Sequence, residues 1–348
     1  MKAINIKSLV RKNIKDLQPY ASARDEFKEA LDDMVFLDAN ENPFNSGVNR
    51  YPDPQQTKLK SLFAQLKAVA VNQILLGNGS DEVLDLIIRA FCEPNKDNII
   101  TLPPTYGMYE VLANLNAVEI IKVNLSEDFQ IQADGIVNEA NEYSKVLFLC
   151  SPNNPTGNSF KKEAIEKLLK TFKGLVVIDE AYIDFSEHES WINRLDDFPN
   201  LMITQTLSKA YGMAGIRLGV CYASVEIISI LNKIKPPYNV NALTQQKAIE
   251  ALSNRIEVNQ QITVIKEQRQ ILCDALSKID FIETIYPSDA NFLLVKVDDA
   301  NLRYQQLIEN DIVVRNRAKE PLCENCLRIT VGTKEENKKL IETLKNIE

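Results

Sequence analysis

Short, uninterrupted apolar runs restrict the fold of this 348-residue chain more than any other feature. The runs at 145–150, 174–178 and 201–204 are almost wholly apolar and lack the polar–apolar alternation of a strand with one face in water. Strands that are apolar on both faces are typical of parallel sheets covered by helices on both sides. We therefore predict an α/β fold.

Stretches with helical periodicity separate these runs. One of them carries apolar residues three and four positions apart, at Val83, Leu84, Ile87, Ile88 and Phe91. Such spacing places the side chains on one face of a helix. The alternation of strands and helices from about residue 36 to residue 235 predicts a large domain with a mainly parallel, helix-covered sheet.

The pattern changes at Pro236 and Pro237, which indicate a connection between two domains. Residues 241–278 then have long helical character, with a break near Ser253 and Asn254, and a mixture of strands and helices follows. We predict a smaller α+β domain there. The expected organisation is an N-terminal arm (1–35) packing with the small domain, a large domain (36–238) and a small C-terminal domain (239–348).

Polar residues follow the ends of the predicted strands of the large domain. In open α/β sheets ligands bind at the carboxyl ends of the strands, so side chains placed there meet at one edge. We expect one site at this edge, formed by Ser80, Tyr106, Asn154, Asp179, Tyr182 and Lys209.

The segment from Thr206 to Arg217 contains the most reactive of these residues. Lys209 lies beside the hydroxyl residues Thr206 and Ser208, in a loop rich in small residues. A lysine amine can form a Schiff base with an aldehyde, and hydroxyls, loop N–H groups and an arginine can hold a phosphate. The segment by itself is equally compatible with an ordinary surface lysine.

Two tyrosines and one carboxylate also allow more than one interpretation. Asp179 directly follows a buried strand, where its charge is costly unless it has a partner such as a cationic ring nitrogen. Tyr106 can stack on a flat ring or simply pack in its loop. For Tyr51, between Arg50 and Pro52, composition favours simple packing.

Several function classes are disfavoured by composition. The net charge of −8 argues against nucleic-acid binding. The only histidine, His188, lies in a polar stretch, which makes a serine or cysteine triad improbable. Cys323 and Cys326 form a single C-x-x-C pair, so no metal site is expected. No membrane span or signal peptide is expected, and scattered cysteines favour a reducing cytoplasm.

The chain resembles the fold-type I pyridoxal-phosphate aminotransferases, and within them the histidinol-phosphate branch. The resemblance runs from about residue 36 to the C-terminus. Its motifs are 51–55, 89–94, 103–109, 214–219, Gly79-Ser80-Asp81-Glu82, Ser151-Pro152-Asn153-Asn154-Pro155-Thr156-Gly157, Asp179-Glu180-Ala181-Tyr182-Ile183, Thr206-Leu207-Ser208-Lys209-Ala210 and Cys326-Leu327-Arg328-Ile329-Thr330-Val331-Gly332-Thr333.

The resemblance implies a role for each residue toward pyridoxal 5'-phosphate. Lys209 would bind the aldehyde, and Asp179 would pair with the ring nitrogen. Tyr106 would stack on the cofactor ring, and Asn154 and Tyr182 would hydrogen-bond the phenolic oxygen of that ring. The phosphate would be held by Ser80, Asp81, Thr206, Ser208 and Arg217, and by Tyr51 of a neighbouring subunit. A homodimer is thereby implied, and Lys209, Asp179 and Tyr182 would be the catalytic residues.

The resemblance also implies the substrates, namely histidinol phosphate with the pair 2-oxoglutarate and glutamate. Arg328 and Arg315 would bind the phosphate or carboxylate group of these substrates. Arg317 could share the face of Arg315 on a strand, although its spacing to Arg328 favours Arg315. Tyr20 of the N-terminal arm would close over the substrate, with simple packing as its alternative.

Three other functions are compatible with these motifs. The nearest is an aminotransferase for aromatic or other amino acids, and a second is a decarboxylase of amino-acid phosphates. A binding module without catalytic activity is disfavoured, because it would not need Lys209, Asp179 and Tyr182 together.

Overall fold

A computed structural model describes residues 4–20 and 34–347. Its larger sheet has seven strands in the order β1-β7-β6-β5-β4-β2-β3. The strands are β1 (Ile74–Asn78), β2 (Asn98–Thr101), β3 (Glu119–Lys122), β4 (Ser144–Cys150), β5 (Leu175–Asp179), β6 (Leu201–Thr206) and β7 (Leu218–Ala223).

The larger sheet is mainly parallel, as predicted. Strands β3, β2, β4, β5 and β6 are parallel neighbours, whereas β7 is antiparallel to both β6 and β1. Every residue of β5 and β6 is buried. Because five strands run the same way, their carboxyl ends lie along one edge of the sheet, where the site was expected.

Helices cover both faces of this sheet and explain why its strands are apolar throughout. On one face Val83, Ile87 and Phe91 of α4 belong to an apolar core with Tyr109 of α5 and Ile227 of α8. A second core on the other face includes residues of α3, α6 and α7. The six helices are α3 (Thr57–Lys67), α4 (Ser80–Phe91), α5 (Met108–Leu115), α6 (Ala133–Glu139), α7 (Lys162–Thr171) and α8 (Val225–Ile234).

The C-terminal part contains a four-stranded antiparallel sheet in the order β10-β11-β9-β8. The predicted helix break is confirmed, because α9 ends at Ser253 and α10 begins at Ile256. The elements are α9 (Ala242–Ser253), α10 (Ile256–Leu276), β8 (Ile282–Ile285), β9 (Phe292–Val297), α11 (Ala300–Glu309), β10 (Arg315–Asn316), β11 (Cys326–Thr330) and α12 (Lys334–Asn346).

The helix α9 packs on α3, and its Ala248 and Leu252 share an apolar core with Leu59 and Phe63. This helix was expected in the small domain but lies against the large one. The division of the chain at residue 238 therefore stays a prediction.

The N-terminal arm does not pack where it was predicted to pack. Its described part contains α1 (Ile6–Leu9) and α2 (Lys12–Lys15). Ile6 and Ile14 are buried in the core of α4 and α8, and the Arg11 N–H donates to the Ala90 carbonyl oxygen at 3.1 Å. The arm thus binds the large domain, because its apolar face fits the apolar surface of these two helices. Residues 21–33 lie outside the described part.

Two absences concern the described residues only. Across 4–20 and 34–347, no helix combines the length and the apolar character that a membrane crossing needs. The same residues contain no group of histidine, cysteine and carboxylate side chains that could hold a metal ion. All six cysteines are free thiols.

Candidate active site

A cavity of about 320 Å³ lies at the carboxyl edge of the larger sheet. It is lined by residues from distant parts of the chain. They are Ser80, Asp81, Tyr106, Cys150, Asn154, Asp179, Ala181, Tyr182, Thr206, Ser208, Lys209, Ala214, Arg217, Arg315, Arg317 and Arg328. The structure therefore brings together all of the predicted site residues except Tyr51 and Tyr20.

Lys209 is presented to the cavity by the turn that follows β6. The Ser208 N–H donates to Thr206 Oγ1 at 3.1 Å, which curls the chain immediately after the strand. The Lys209 ammonium lies 5.5 Å from the centre of the Tyr182 ring. Partial burial, and secondly the nearby Arg328 guanidinium, lower the pKa of Lys209. The neutral, nucleophilic amine is therefore more accessible than in an ordinary surface lysine.

Asp179 ends β5 and is 3% exposed. Its Oδ2 accepts a hydrogen bond from the Tyr109 hydroxyl at 2.9 Å, and its Oδ1 accepts one from the Ala181 N–H at 3.2 Å. Burial raises the pKa of Asp179. None of the ion pairs formed within 4–20 and 34–347 includes this carboxylate. A cationic ring nitrogen in the cavity would provide the missing partner.

The opposite wall of the cavity has the donors that a phosphate requires. The helix α4 begins at Ser80, so its first N–H groups are free to bind an anion. The Gly79 N–H donates to the Arg217 carbonyl oxygen at 2.8 Å, which joins this helix start to the lysine loop. Arg217 Nη2 lies 3.5 Å from Asp81 Oδ2. Helix N–H groups, hydroxyls and a guanidinium thus converge in one corner.

Three arginines form the far end of the cavity. Arg315 and Arg328 are directly opposite each other on the antiparallel strands β10 and β11. Arg317 also lines the cavity. The Nε atoms of Arg317 and Arg328 are buried without a hydrogen-bond partner among the described residues. Their guanidinium groups are suited to a phosphate or carboxylate of a substrate.

Comparison with known proteins decides the family. The profile described as "Aminotransferase class I and II" matches residues 23–344.

The chain belongs to the class I and II aminotransferase family.

Individual relatives agree with this assignment. The aminotransferase is similar to a histidinol-phosphate aminotransferase of Flavobacterium johnsoniae, at 63% identity over 346 residues and 99% of each chain. It is also similar to the solved histidinol-phosphate aminotransferase of Clostridium acetobutylicum, with a TM-score of 0.80, 26% identity, and coverage of 86% of this chain and 91% of that one.

A third relative carries the cofactor. The histidinol-phosphate aminotransferase of Sinorhizobium meliloti, solved in complex with pyridoxal-5'-phosphate, has a TM-score of 0.79 and 23% identity, and the match covers 86% of this chain and 82% of that one. This likeness concerns the fold. The predicted fold type, the predicted enzyme class and the predicted cofactor, pyridoxal phosphate, are confirmed, as is the resemblance to the histidinol-phosphate branch.

The polar groups that line the cavity of this aminotransferase fit the cofactor. Asp179 is a buried carboxylate that lacks a cation, and the free helix N–H groups beside Arg217 lie at another wall of the same cavity. Tyr106 and Tyr182 also line the cavity. Burial is the main cause that raises the pKa of both tyrosines, so both remain protonated hydrogen-bond donors. Tyr106 donates to Asp81 Oδ1 at 3.1 Å.

The corner of the cavity formed by the start of α4, the hydroxyls of Thr206 and Ser208, and Arg217 is called the phosphate corner below. It depends on a close approach between β7 and the start of α4. A Cβ atom at Gly219 would lie 2.2 Å from Ser80 N and 2.4 Å from the carbonyl carbon of Gly79. Both neighbours are backbone atoms, which cannot rotate away. We expect Gly219→Ala to lower the free energy of unfolding by about 1–3 kcal/mol through overpacking and to weaken cofactor binding. Denaturant unfolding and equilibrium dialysis with pyridoxal phosphate measure the two effects.

Gly215 is the matched control for this change, because a Cβ atom there would meet nothing within 4 Å. Gly215 lies in the loop that precedes β7, and Gly215→Ala should leave both quantities near the wild-type values. Equal stability and equal cofactor affinity of Gly219→Ala and Gly215→Ala would contradict the close approach.

Two predicted site residues lie outside the cavity of their own chain. Tyr51 stacks on Tyr238, with ring centres 4.4 Å apart and an interplanar angle of 16°, and it is 51% exposed. Tyr20 is 75% exposed and does not line the cavity. The roles of both tyrosines stay predictions.

Sequence reasoning missed one residue beneath the site and left another open. Tyr109 contacts Asp179 from the core. The signals for it were its place in the motif 103–109 and its position three residues after Tyr106, which lies in the loop just before α5. Arg317 was left open because the bend of the chain between β10 and β11 is not encoded in a simple spacing.

Proposed function

We propose that this aminotransferase transfers the amino group of L-histidinol phosphate to 2-oxoglutarate, giving imidazole acetol phosphate and glutamate in histidine biosynthesis. The cluster of Arg315, Arg317 and Arg328 carries this proposal, because it offers a second anion site in a cavity that already has a phosphate corner. The name of the Flavobacterium johnsoniae relative supports it.

The side chains would hold the cofactor by its two ends. Asp179 would face the ring nitrogen, and the N–H groups of Ser80 and Asp81, the hydroxyls of Thr206 and Ser208, and Arg217 would hold the phosphate. When bound, pyridoxal phosphate supplies an aldehyde that accepts amino groups and a ring that withdraws electrons from the substrate Cα. Asn154 and Tyr182 would donate to the phenolic oxygen, and Tyr106 would cover the ring.

Lys209 would act as the general base. Its pKa is lowered by burial and by Arg328, so a larger fraction of the amine is neutral near physiological pH than for a free lysine. Lys209 Nζ would take the proton from the substrate Cα and hold it for return on the same face. The Tyr182 ring, 5.5 Å from this nitrogen, restricts the positions that the amine can adopt.

The arginines would serve both half-reactions. In the first they would bind the phosphate of the donor, and in the second the distal carboxylate of 2-oxoglutarate. No ion pair among residues 4–20 and 34–347 engages Arg315 or Arg328, whereas Arg317 lies 3.4 Å from Glu320 Oε1. Arg315 and Arg328 therefore have no carboxylate partner among the described residues. Arg328 Nη1 donates to Asn154 Oδ1 at 2.5 Å, and its remaining N–H groups would be available to the substrate anion.

Arg328→Gln tests the substrate assignment. We expect kcat/KM for histidinol phosphate to fall about 100-fold or more, because the loss of one partner of a buried charge pair costs about 2–5 kcal/mol. The value for unphosphorylated histidinol should change little. Steady-state kinetics with both donors measure the difference.

The control for this test is Arg89→Gln, which changes a half-exposed arginine on α4 that does not line the cavity. Equal use of histidinol phosphate and histidinol by the wild type would reject the assignment. Faster turnover of phenylalanine would favour an aromatic aminotransferase, and release of carbon dioxide without an oxo acid would favour a decarboxylase.

We also propose a homodimer in which Tyr51 completes the cofactor site of the neighbouring subunit. Tyr51 lies outside the Lys209 cavity of its own chain and is half exposed. Large apolar side chains close to it in sequence are also exposed, namely Val35, Leu37, Phe44 and Val48. Exposed apolar clusters of this kind are typical of protein interfaces, so a second subunit supports this arrangement.

Mixing two inactive variants tests the exchange of Tyr51. A mixed dimer of Lys209→Ala and Tyr51→Ala subunits would hold one intact site, with Lys209 from one subunit and Tyr51 from the other. Since half of randomly assembled dimers are mixed, we expect recovery of about one quarter of the wild-type activity. Steady-state assays after co-refolding measure it. If the mixture is no more active than the sum of the separate variants, Tyr51 does not act across the interface.

We propose that the enzyme works in a reducing cytoplasm. Six cysteines without any disulfide support this location, as does a biosynthetic role.

A further inference from the structure

A buried tyrosine supports the catalytic carboxylate from below the cavity. Tyr109 lies in the first turn of α5, is fully buried, and does not line the cavity. Its ring stacks on Phe148 of β4, with centres 4.7 Å apart and planes 8° from parallel. The edge of Tyr106 lies against it at 5.5 Å. The ring is thus fixed on two sides.

That hydroxyl donates to Oδ2 of Asp179 at 2.9 Å. The other carboxylate oxygen, Oδ1, accepts the Ala181 N–H at 3.2 Å. The two donors hold the carboxylate plane from opposite oxygens. A rotation of Asp179 would break at least one of these two bonds.

Electrostatics also favour one direction of this hydrogen bond, with the Tyr109 hydroxyl as donor and the Asp179 carboxylate as acceptor. Burial, and secondly the charge of Asp179, raise the pKa of Tyr109 well above its usual value, so the phenol remains a donor. Burial raises the pKa of Asp179, and the Tyr109 hydrogen bond is the largest effect that opposes this rise. Tyr109 therefore favours the ionised form of Asp179, which is the form that pairs with a cationic ring nitrogen.

We propose that Tyr109 is a positioning residue that keeps Asp179 ionised and oriented toward the ring nitrogen of the cofactor. It acts only through Asp179, and it sets how firmly the protonated ring is held. The inference rests on the proposed cofactor site, in which Asp179 meets the ring nitrogen.

The test is Tyr109→Phe, which removes one oxygen and preserves the stacking on Phe148. Its matched control is Tyr222→Phe. Tyr222 is also fully buried, on β7 of the same sheet, but its hydroxyl has no hydrogen-bond partner among the described residues. Both variants lose a buried hydroxyl, and only one of them loses a donor to Asp179.

The readouts are the dissociation constant of pyridoxal phosphate, measured by equilibrium dialysis between pH 6 and 8.5, and the pH titration of the visible absorption of the bound cofactor. We expect Tyr109→Phe to bind the cofactor about tenfold more weakly at pH 6, as for the loss of a hydrogen bond to a charged group. The deficit should shrink as pH rises, because Asp179 then ionises without help. The apparent pKa of the absorption change should shift, whereas Tyr222→Phe should match the wild type.

Equal affinity of Tyr109→Phe and wild type at every pH would overturn the proposal, and so would an equal loss in Tyr222→Phe. A double-mutant cycle distinguishes the loss of the hydrogen bond to Asp179 from a general packing defect. Tyr109→Phe should have no further effect on cofactor affinity in an Asp179→Asn background, and an undiminished effect there would also overturn it. If the wild type itself shows no visible absorption with pyridoxal phosphate, the proposed function fails rather than this inference.

Discussion

Replacement of Lys209 by alanine will lower kcat for transamination by about four orders of magnitude or more, since general acid–base catalysis alone contributes up to about 10⁴-fold. The same change will abolish the shift in absorption that accompanies Schiff-base formation with pyridoxal phosphate, because no other lysine among the described residues lines the cavity. Stopped-flow single turnovers with histidinol phosphate and absorption spectra measure the two losses.

Lys209→Arg is the informative control. It preserves the positive charge near Tyr182 but supplies a guanidinium that neither forms a Schiff base nor acts as a base at neutral pH. Both variants should therefore be equally inactive. The cofactor phosphate should still bind to both, because the start of α4 and Arg217 are unchanged. Retention of more than a few per cent of the wild-type kcat in either variant would exclude Lys209 as the base.

Asp179→Asn should lower kcat by two to three orders of magnitude, because removal of one partner of a buried charge pair costs about 3–5 kcal/mol. Asparagine has nearly the same shape, so the loss reports the charge. The matched control is Glu180→Gln. Glu180 is equally buried one residue further on, but it binds the Trp191 N–H at 2.7 Å and the Gln205 side chain at 2.9 Å and does not line the cavity.

Asp179→Asn should stabilise the protein when the cofactor is removed. Burial raises the pKa of Asp179 in the folded state, so the folded protein binds this proton more tightly than the unfolded chain. The contribution of Asp179 to stability is therefore complete below the unfolded pKa and is lost as pH rises. Without the cofactor, the free energy of unfolding of Asp179→Asn should exceed that of the wild type by about 1–4 kcal/mol at neutral pH. This difference should vanish near pH 4.

Chemical denaturation of both proteins at pH 4.5 and pH 7.5, with and without pyridoxal phosphate, measures this difference. Addition of the cofactor should make the wild type more stable than Asp179→Asn at pH 7.5, because only the wild type then gains a charge pair. A carboxylate that is neutral in the loaded enzyme would leave the order unchanged and would contradict the assigned role of Asp179. Glu180→Gln should not change order when the cofactor is added.

Much of the site could be predicted because the carboxyl ends of neighbouring parallel strands lie along one edge of the sheet. Asp179 ends a strand whose other residues are all apolar, and Thr206 ends one that begins with three apolar residues, so their position at the sheet edge followed from the sequence pattern. Lys209 is three residues beyond such an end. For these residues local sequence and tertiary position are coupled by the sheet itself.

Other positions depend on surfaces that the sequence does not reveal. Ile6 and Ile14 of the arm are apolar, but the sequence does not show which domain covers them. The described part of the arm packs on the large domain rather than on the small one, as had been predicted. Arg317 reaches the cavity through the course of the chain near β10 rather than through strand alternation. The proposed role of Tyr51 would depend on a second subunit, whose position no periodicity of one chain encodes.

The order of strands in the larger sheet also constrains how this enzyme is made. Strand β1 is the first of that sheet to be translated, yet its only hydrogen-bonded neighbour is β7, the last. A nascent chain therefore has a bare β1 edge on the ribosome until Ala223 has emerged, and such unpaired edges are prone to aggregation. A truncated product that ends before Arg217 also lacks this proposed phosphate ligand and Gly219, so we expect it not to bind the cofactor. Holoenzyme formation thus begins only in the last third of synthesis.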